Sequence, residues 1–428
     1  MSTRRPFYGL LTAYLVSGVG TAMSEVAVPW LVLVTTGSAA STGVVGFSLM
    51  TPYVVLQATA GPLVDRVGPR RTFLLGNAAA AIATGAIPLL HALGGLSLAT
   101  LACVVAVAGA VRGVADCATT PMVPITADQG DVPYERAVGL FSGANRAAML
   151  AGMPLAGVLI VAFGPAQVIL LDAVSFGAAV IVLGGSVPAR PGSGNSTTEP
   201  MRLGRYFAEL REGLHFLRAD RLLVGIVIMV AVTNLLDQAL TSVLLPVWAH
   251  DRVHDATALG WVGGAWGAGM LVGALGGAWL GPRLPRWPAL AFGSLLSASP
   301  PFFALAGWAS VPWQLPVFAL TGVVGGVLNP ILGAVEFERI PPRLHARVLG
   351  AIKASAWVGI PFGALVGGAL AQGPGLTTAL LACGSAMLLA TLAPFVFPSW
   401  RTVDRRGEQV VRASPANEPA THGQLLER

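Results

Sequence analysis

The chain reads as an all-α integral membrane protein whose twelve transmembrane helices form two parallel six-helix repeats. Three observations predict this. First, 54% of the 428 residues are hydrophobic and only 11% are charged, and the apolar residues fall in blocks of about 20–28, enough to cross a hydrocarbon core of about 30 Å. Second, Arg residues concentrate in alternate loops, the bias that orients membrane helices. Third, fragments of the first half return in order in the second. A mean hydropathy of +0.71 argues against a soluble chain, which carries about 25% charged residues.

The first six blocks run Tyr8–Val34, Thr42–Val64, Thr72–Ala92, Leu96–Thr120, Val138–Phe163 and Ala166–Val187. The second six run Leu222–Ala249, Ala258–Leu280, Ala289–Ala309, Pro312–Val335, Val348–Ala371 and Leu376–Pro398. Gly and Pro supply several of these divisions. The chain thus divides into a first half over 1–187, a linker over 188–220, a second half over 221–398 and a disordered tail over 399–428. The linker opens on a Pro-, Gly-, Ser- and Thr-rich stretch, 188–200, whose composition predicts flexibility. Leu203, Phe207, Leu210, Leu214 and Leu217 then recur at steps of four and three, the pattern of an amphipathic helix that lies on the membrane surface or docks on a partner.

The net charge of +6 and a pI near 9.8 do not point to nucleic acid, because the basic residues sit in short loops between apolar blocks. Arg4, Arg5, Arg66, Arg70, Arg71, Arg136, Arg283, Arg286, Arg339, Arg343, Arg347, Arg401, Arg405 and Arg406 fall on one side; Arg252 is the clear exception on the other. The bias places both termini and the linker in the cytoplasm of a plasma (inner) membrane protein. It also makes Asn195-Ser196-Thr197 linker rather than a glycosylation site, and Arg4-Arg5 an anchor rather than an export signal. Cys103, Cys117 and Cys383 lie within spans, read as small packing residues without disulfide or metal spacing.

The repeat is visible residue by residue. Gly143-Ala144-Asn145-Arg146-Ala147 with Gly152 and Pro154 returns 207 residues later as Gly350-Ala351-Ile352-Lys353-Ala354 with Gly359 and Pro361. Gly109 to Asp116 parallels Gly322 to Asn329, Pro29-Trp30 parallels Pro246-Val247-Trp248, and Gly61 to Arg71 has a degraded copy at Gly277 to Trp287. Order and near-constant offset exclude coincidence better than any single match, and they imply two halves in the same orientation.

Charges inside spans are expensive, about 2.5–3.5 kcal/mol each on insertion scales. Ser17, Thr21, Ser24 and Glu25 share one face of the first span; Asn234, Asp237, Gln238 and Thr241 share one face of the seventh. Ser17, Thr21 and Ser24 align with Asn234, Gln238 and Thr241. Polar stripes cannot face lipid, so both should line a central cavity, with Glu25 and Asp237 as solute or proton sites. Arg112 and Asp116, four apart, form either an intrahelical structural pair or part of that cavity, which Asn329 joins through the repeat. Arg146, Asp172 and Lys353 are possible intramembrane charge partners, with snorkelling the alternative for the two cations and a structural role for Asp172. The steps Gly260, Gly264 and then Gly269, Gly273, Gly277 let helix backbones approach closely. No catalytic or metal-ligating motif stands out; His250, Asp251 and His254 read as solvated loop.

Gly61-Pro62-Leu63-Val64-Asp65-Arg66-Val67-Gly68-Pro69-Arg70-Arg71, following the second span, resembles the signature loop G-x-x-x-D-R-x-G-R of the major facilitator superfamily, with Pro69 replacing a basic residue. Glu212 to Leu217 before the seventh span resembles its siderophore and macrolide exporter branch. Met153-Pro154-Leu155-Ala156-Gly157 is similar to the antiporter signature G-P-x-x-G-G, departing at Met153 and Val158. The resemblance spans all twelve helices. It implies a secondary active transporter, not an enzyme, working by alternating access: proton-coupled export (antiport) of a small amphipathic molecule such as a drug, antibiotic or siderophore, in the manner of multidrug efflux. The alternatives are an uptake symporter or facilitator for a metabolite or lipid, and a receptor or scaffold without transport. The implied partners are a small-molecule solute and the lipid bilayer, with no nucleic acid, a monomeric state, and a proton gradient in place of any cofactor. In the loop, which opens on Gly61, Gly68 permits a tight turn, while Asp65, Arg66, Arg70 and Arg71 either pair with the ends of neighbouring helices, locking one conformer and releasing another, or simply anchor the topology.

Overall fold

A computed structural model of the chain describes residues 4–188, 203–341 and 344–404. Among the described residues twelve helices are long and apolar enough to span a membrane: Arg5–Thr36, Ala39–Thr59, Pro69–Ala92, Leu98–Gln129, Tyr134–Phe163, Pro165–Ser186, Arg221–Val253, Thr257–Leu280, Arg286–Gly307, Val311–Arg339, Arg347–Gln372 and Leu376–Val396. We refer to them as spans one to twelve. Because their number is even, the chain enters the first and leaves the twelfth on one face, which also carries Arg5, Arg70, Arg286, Arg339 and Arg347. We call this the Arg-rich face and its opposite the distal face.

Several spans are interrupted, which protein-buried membrane helices tolerate because neighbours satisfy the freed backbone groups. The seventh contains two π-helical turns, Leu240–Leu244 and Ala249–Val253, on either side of Pro246. The eleventh breaks between Trp357 and Ile360, where Pro361 offers no N–H. Asn234 Nδ2 donates to the Ala356 carbonyl beside that break, at 3.0 Å.

Glycines set the closest approaches. A Cβ at Gly269 or Gly273 would overlap the Ala319 or Val323 carbonyl of the tenth span. The Gly260–Gly264 part of the same stripe instead meets Pro154 of the fifth span, in the other half. The stripe therefore serves two interfaces, one within a half and one between halves. The residues resembling the antiporter signature lie at the second.

The cores show how the halves meet. Toward the distal face one cluster combines Trp30, Leu31, Val45 and Ile160 of the first half with Leu236, Leu244, Trp248 and Leu259 of the second. Toward the Arg-rich face the cores are separate: Phe7, Leu10, Phe141 and Leu183 in one half, Leu222, Ile226, Ile331 and Trp400 in the other. The halves are joined distally and parted at the Arg-rich face.

Some expectations need correction. The tail does not begin at 399: Pro398–Asp404 forms a 3-10 segment whose Trp400 is fully buried against the second half, because Trp400 and Val403, three apart, present one apolar face. In the linker helix, Leu203–Ala219, Gly213 and Leu217 are buried against the second half, while Arg211, Glu212, His215 and Arg218 are exposed. Leu217 packs with Val348 and Ile352, and Glu212 pairs with Arg347 Nη1 at 2.6 Å. Cys103 is exposed rather than packed, while Cys383 is buried. The linker stretch expected to be flexible, with its Asn-Ser-Thr sequon, together with Arg343 and the tail beyond 404, lies outside the described residues.

Candidate functional site

Between the halves lies a cavity of two lobes, each about 440 Å³, with a smaller recess of about 160 Å³ toward the distal face. Such volumes suit drug-sized molecules. The first-half lobe is the more polar of the two and runs from Glu25 past Tyr14 and Asn77 to Tyr134 at the start of the fifth span, on the Arg-rich face. The second-half lobe is lined by Met229, Met270, Trp266 and Phe318 together with Asn234 and Asp237. Glu25 lines both lobes and the recess.

An ion network occupies the first-half lobe. Arg112 Nη2 lies 3.6 Å from Glu25 and its Nε 3.7 Å from Asp116. Tyr53 Oη donates to Asp116 at 3.0 Å, and the guanidinium stands 5.0 Å from the Tyr53 ring centroid. Arg112 thus does more than neutralise its own helix: it ties the fourth span to the first. Spacing alone gives only the intrahelical partner and does not single out Tyr53. Its signal was a hydroxylated aromatic in mid-span, away from the interfacial belts where Tyr collects.

The polar stripes are placed as follows. Ser17 and Thr21 line the first-half lobe; Ser24, Gln238 and Thr241 line the recess; Asn234, Asp237, Thr241 and Asn329 line the second-half lobe. Gln238 also bonds Ser242. Among the described residues no cation lies within ion-pair distance of Asp237.

The three possible charge partners do not form ion pairs among the described residues. Asp172, only 3% exposed, accepts from Ser24 Oγ at 2.5 Å and Ser175 Oγ at 3.3 Å, so hydroxyls replace the expected cation. It faces the first span where Gly20 leaves room: a Cβ there would come 2.5 Å from Asp172 Oδ1. Lys353 sits over the Trp357 ring, 4.6 Å from its centroid. Arg146 contacts no carboxylate within ion-pair distance.

In the signature-like loop, Gly61–Val67 is a short helix and Gly68 takes a left-handed φ of 91°, a value that favours glycine. Arg70 donates to the carbonyls of Val187, at 2.7 Å, and Gly184, at 3.1 Å, capping the sixth span. Asp65, Arg66 and Arg71 are exposed. No hydrogen bond or ion pair from the loop reaches the second half among the described residues, so the expected locking pairs reduce here to Arg70 within its own half.

The distal face is sealed. Trp30 meets His250 edge-on at 5.7 Å, Ser38 Oγ donates to Gln372 Oε1 at 3.1 Å, and Gly43 abuts Ala364 and Gly368. Arg252, the exception to the charge bias, caps the ninth span through the carbonyls of Leu305, at 2.8 Å, and Ala306, at 3.0 Å. It also donates to Thr377 Oγ1 at 2.6 Å.

Twelve spans in two parallel halves around a cavity open at one face define a membrane transporter. The Major Facilitator Superfamily model matches residues 10–252 and again 227–426, and the chain belongs to that family. It is 28% identical over 406 residues to the multidrug efflux pump Tap of Mycobacterium tuberculosis, covering 94% of this chain and 96% of that protein. Against Tap of Mycolicibacterium fortuitum it is 28% identical over 404 residues, covering 94% and 98%. Among solved structures it resembles the nucleoside transporter NupG (TM-score 0.71, 12% identity, 93% of this chain and 100% of that one). It also resembles a POT family transporter in complex with 5-aminolevulinic acid (TM-score 0.70, 14% identity, 91% and 95%). At these identities the structural likeness concerns the fold.

Proposed function

We propose that this transporter is a proton-coupled exporter of small amphipathic molecules, with the Arg-rich face in the cytoplasm of the plasma membrane. The observation that carries the reading is the position of Glu25. One carboxylate lines both lobes and the distal recess and pairs with Arg112, so solute, proton and the inter-half junction share one residue. Solute enters from the Arg-rich face while the distal seal is shut. Protonation of Glu25 removes its charge from Arg112, leaving Asp116 as that cation's partner. Alternating access then requires the seal at Trp30–His250 and Gly43–Gly368 to open as the Arg-rich ends close. Kinship with a pump named for multidrug efflux supports export over uptake.

The test is transport by purified protein in liposomes under an imposed pH gradient, with release of a panel of drugs and siderophores followed against proton flux. Solute and protons moving in opposite directions are expected, with loss of coupling in Glu25→Gln. Gradient-driven export at full rate by that variant refutes the assignment of the proton to Glu25. Parallel fluxes identify a symporter instead.

A further inference from the structure

We propose that the Arg-rich rim of the second half docks anionic phospholipid from the adjoining leaflet. Arg283 and Arg401 take the headgroup phosphates, and the exposed Phe292, Val396 and Phe397 lie along the acyl chains. This surface lies outside the cavity, and its occupant does not depend on the direction of transport.

The guanidinium groups on this rim fall into two sets. Arg286 holds Glu338 through two bonds of 2.7 Å, Arg339 pairs with Asp220 at 3.1 Å, and Arg347 pairs with Glu212. Arg283 and Arg401 are exposed and, among the described residues, have no carboxylate within ion-pair distance. Each stands instead by a tryptophan ring, Arg283 4.4 Å from the Trp279 centroid and Arg401 5.9 Å from that of Trp287. Arg283 also gives one N–H to the Trp279 carbonyl, at 3.1 Å. An aromatic neighbour steadies the cation without taking up the in-plane donors that grip phosphate bidentately.

Arg401 is also held in place. The chain leaving the twelfth span packs against the seventh and ninth spans as Pro398–Asp404. On one side of Arg401, Trp400 is buried in the second-half core. On the other, Thr402 accepts from Arg339 Nη1 through its carbonyl and its Oγ1, both at 3.3 Å. With both neighbours fixed, the cation is presented from a set backbone position, which lowers the entropy lost on binding. The surroundings select a lipid over a soluble anion. Phe292, Val396 and Phe397 are exposed near the ends of the ninth and twelfth spans. Phe395 joins them, its ring 5.1 Å from Phe292 and 5.9 Å from Trp287. A soluble phosphate covers none of that apolar surface, whereas one diacyl lipid meets the cation with its headgroup and the rings with its chains. Charge complementarity fixes the headgroup class, because unpaired cations beside an apolar band match an anionic phospholipid.

The experiment uses the full chain without its three native cysteines, labelled with bimane at Ser399→Cys, in phosphatidylcholine nanodiscs. Nitroxide-labelled phosphatidylglycerol or phosphatidylcholine, with identical acyl chains, is titrated in, and quenching of the bimane reports lipid at the rim. Phosphatidylglycerol should reach half-maximal quenching at a mole fraction about fivefold or more below that of phosphatidylcholine, the factor that one Arg near the membrane surface confers. The Arg283→Gln, Arg401→Gln double variant should lose that preference. Arg136→Gln, which removes an exposed Arg of the first half, should keep it. Equal quenching by the two lipids in the labelled parent overturns the proposal before any variant is made. So does a preference unchanged in the folded double variant, or one lost equally in Arg136→Gln, which marks diffuse surface charge. Millimolar inorganic phosphate, balanced against chloride at matched ionic strength, should leave the quenching in place. Quenching abolished by phosphate assigns the rim to a soluble anion and overturns the lipid assignment.

Discussion

Substituting Gly43 should unseat the distal seal without disturbing either half. Gly43, in the second span, is buried against the eleventh span of the other half. A Cβ there would lie 2.5 Å from the Ala364 carbonyl oxygen and 3.2 Å from Gly368 Cα. Both obstacles are backbone atoms and cannot swing aside, so Gly43→Val must push the spans apart. Overpacking of this kind costs about 1–3 kcal/mol. The contact exists only between halves, so the cost is borne in the distally sealed conformer and relieved when the seal opens. The sealed-to-open ratio should therefore fall by about 5- to 150-fold. Spin labels at Ser38 and Gln372, whose side chains are hydrogen-bonded across the seal, read the change as a longer inter-label distance in a background lacking the three native cysteines. Gly269→Val is the control. Its clash with Ala319 falls within the second half and is present in every conformer, so it should lower thermal stability without lengthening the distance. An unchanged distance distribution in a folded Gly43→Val protein would refute the reasoning, as would equal lengthening in the control.

Three further outcomes are expected. A double-mutant cycle of Glu25→Gln with Arg112→Met should give a coupling of about 0.5–3 kcal/mol in thermal stability, since Arg112 lies 3.6 Å from Glu25; additive effects would remove the pair from the network. Trp400→Ala should cost about 3–5 kcal/mol, because the side chain is fully buried in the second-half core, and a melting point within error of wild type would contradict that placement. Arg70→Ala removes two charge-assisted hydrogen bonds to Val187 and Gly184, each worth about 1.5–3 kcal/mol. Amide exchange should rise in the last turn of the sixth span and leave the twelfth untouched.

The span count, the twofold repeat, the glycine stripe and the presence of carboxylates in spans were all legible in the order of residues. Each is a property of one helix at a time: apolar length must match the bilayer, and a polar face must turn away from lipid. The repeat let the first and seventh spans be compared, so that Glu25 and Asp237 came forward together. What one helix cannot reveal is its neighbour. Arg112 has Asp116 one turn away in sequence, but Glu25 and the Tyr53 ring reach it only because the first, second and fourth spans meet. Asp172, without a nearby cation in its own span, finds Ser24 where Gly20 lets the first and sixth spans close. Trp400 falls by sequence in the polar tail, yet it fills the base of the second half. Tertiary structure alone decided which face of the cavity is open, because the same residues can pack at either end. That choice depends on which ends of the two halves touch, a contact energy between surfaces far apart in sequence.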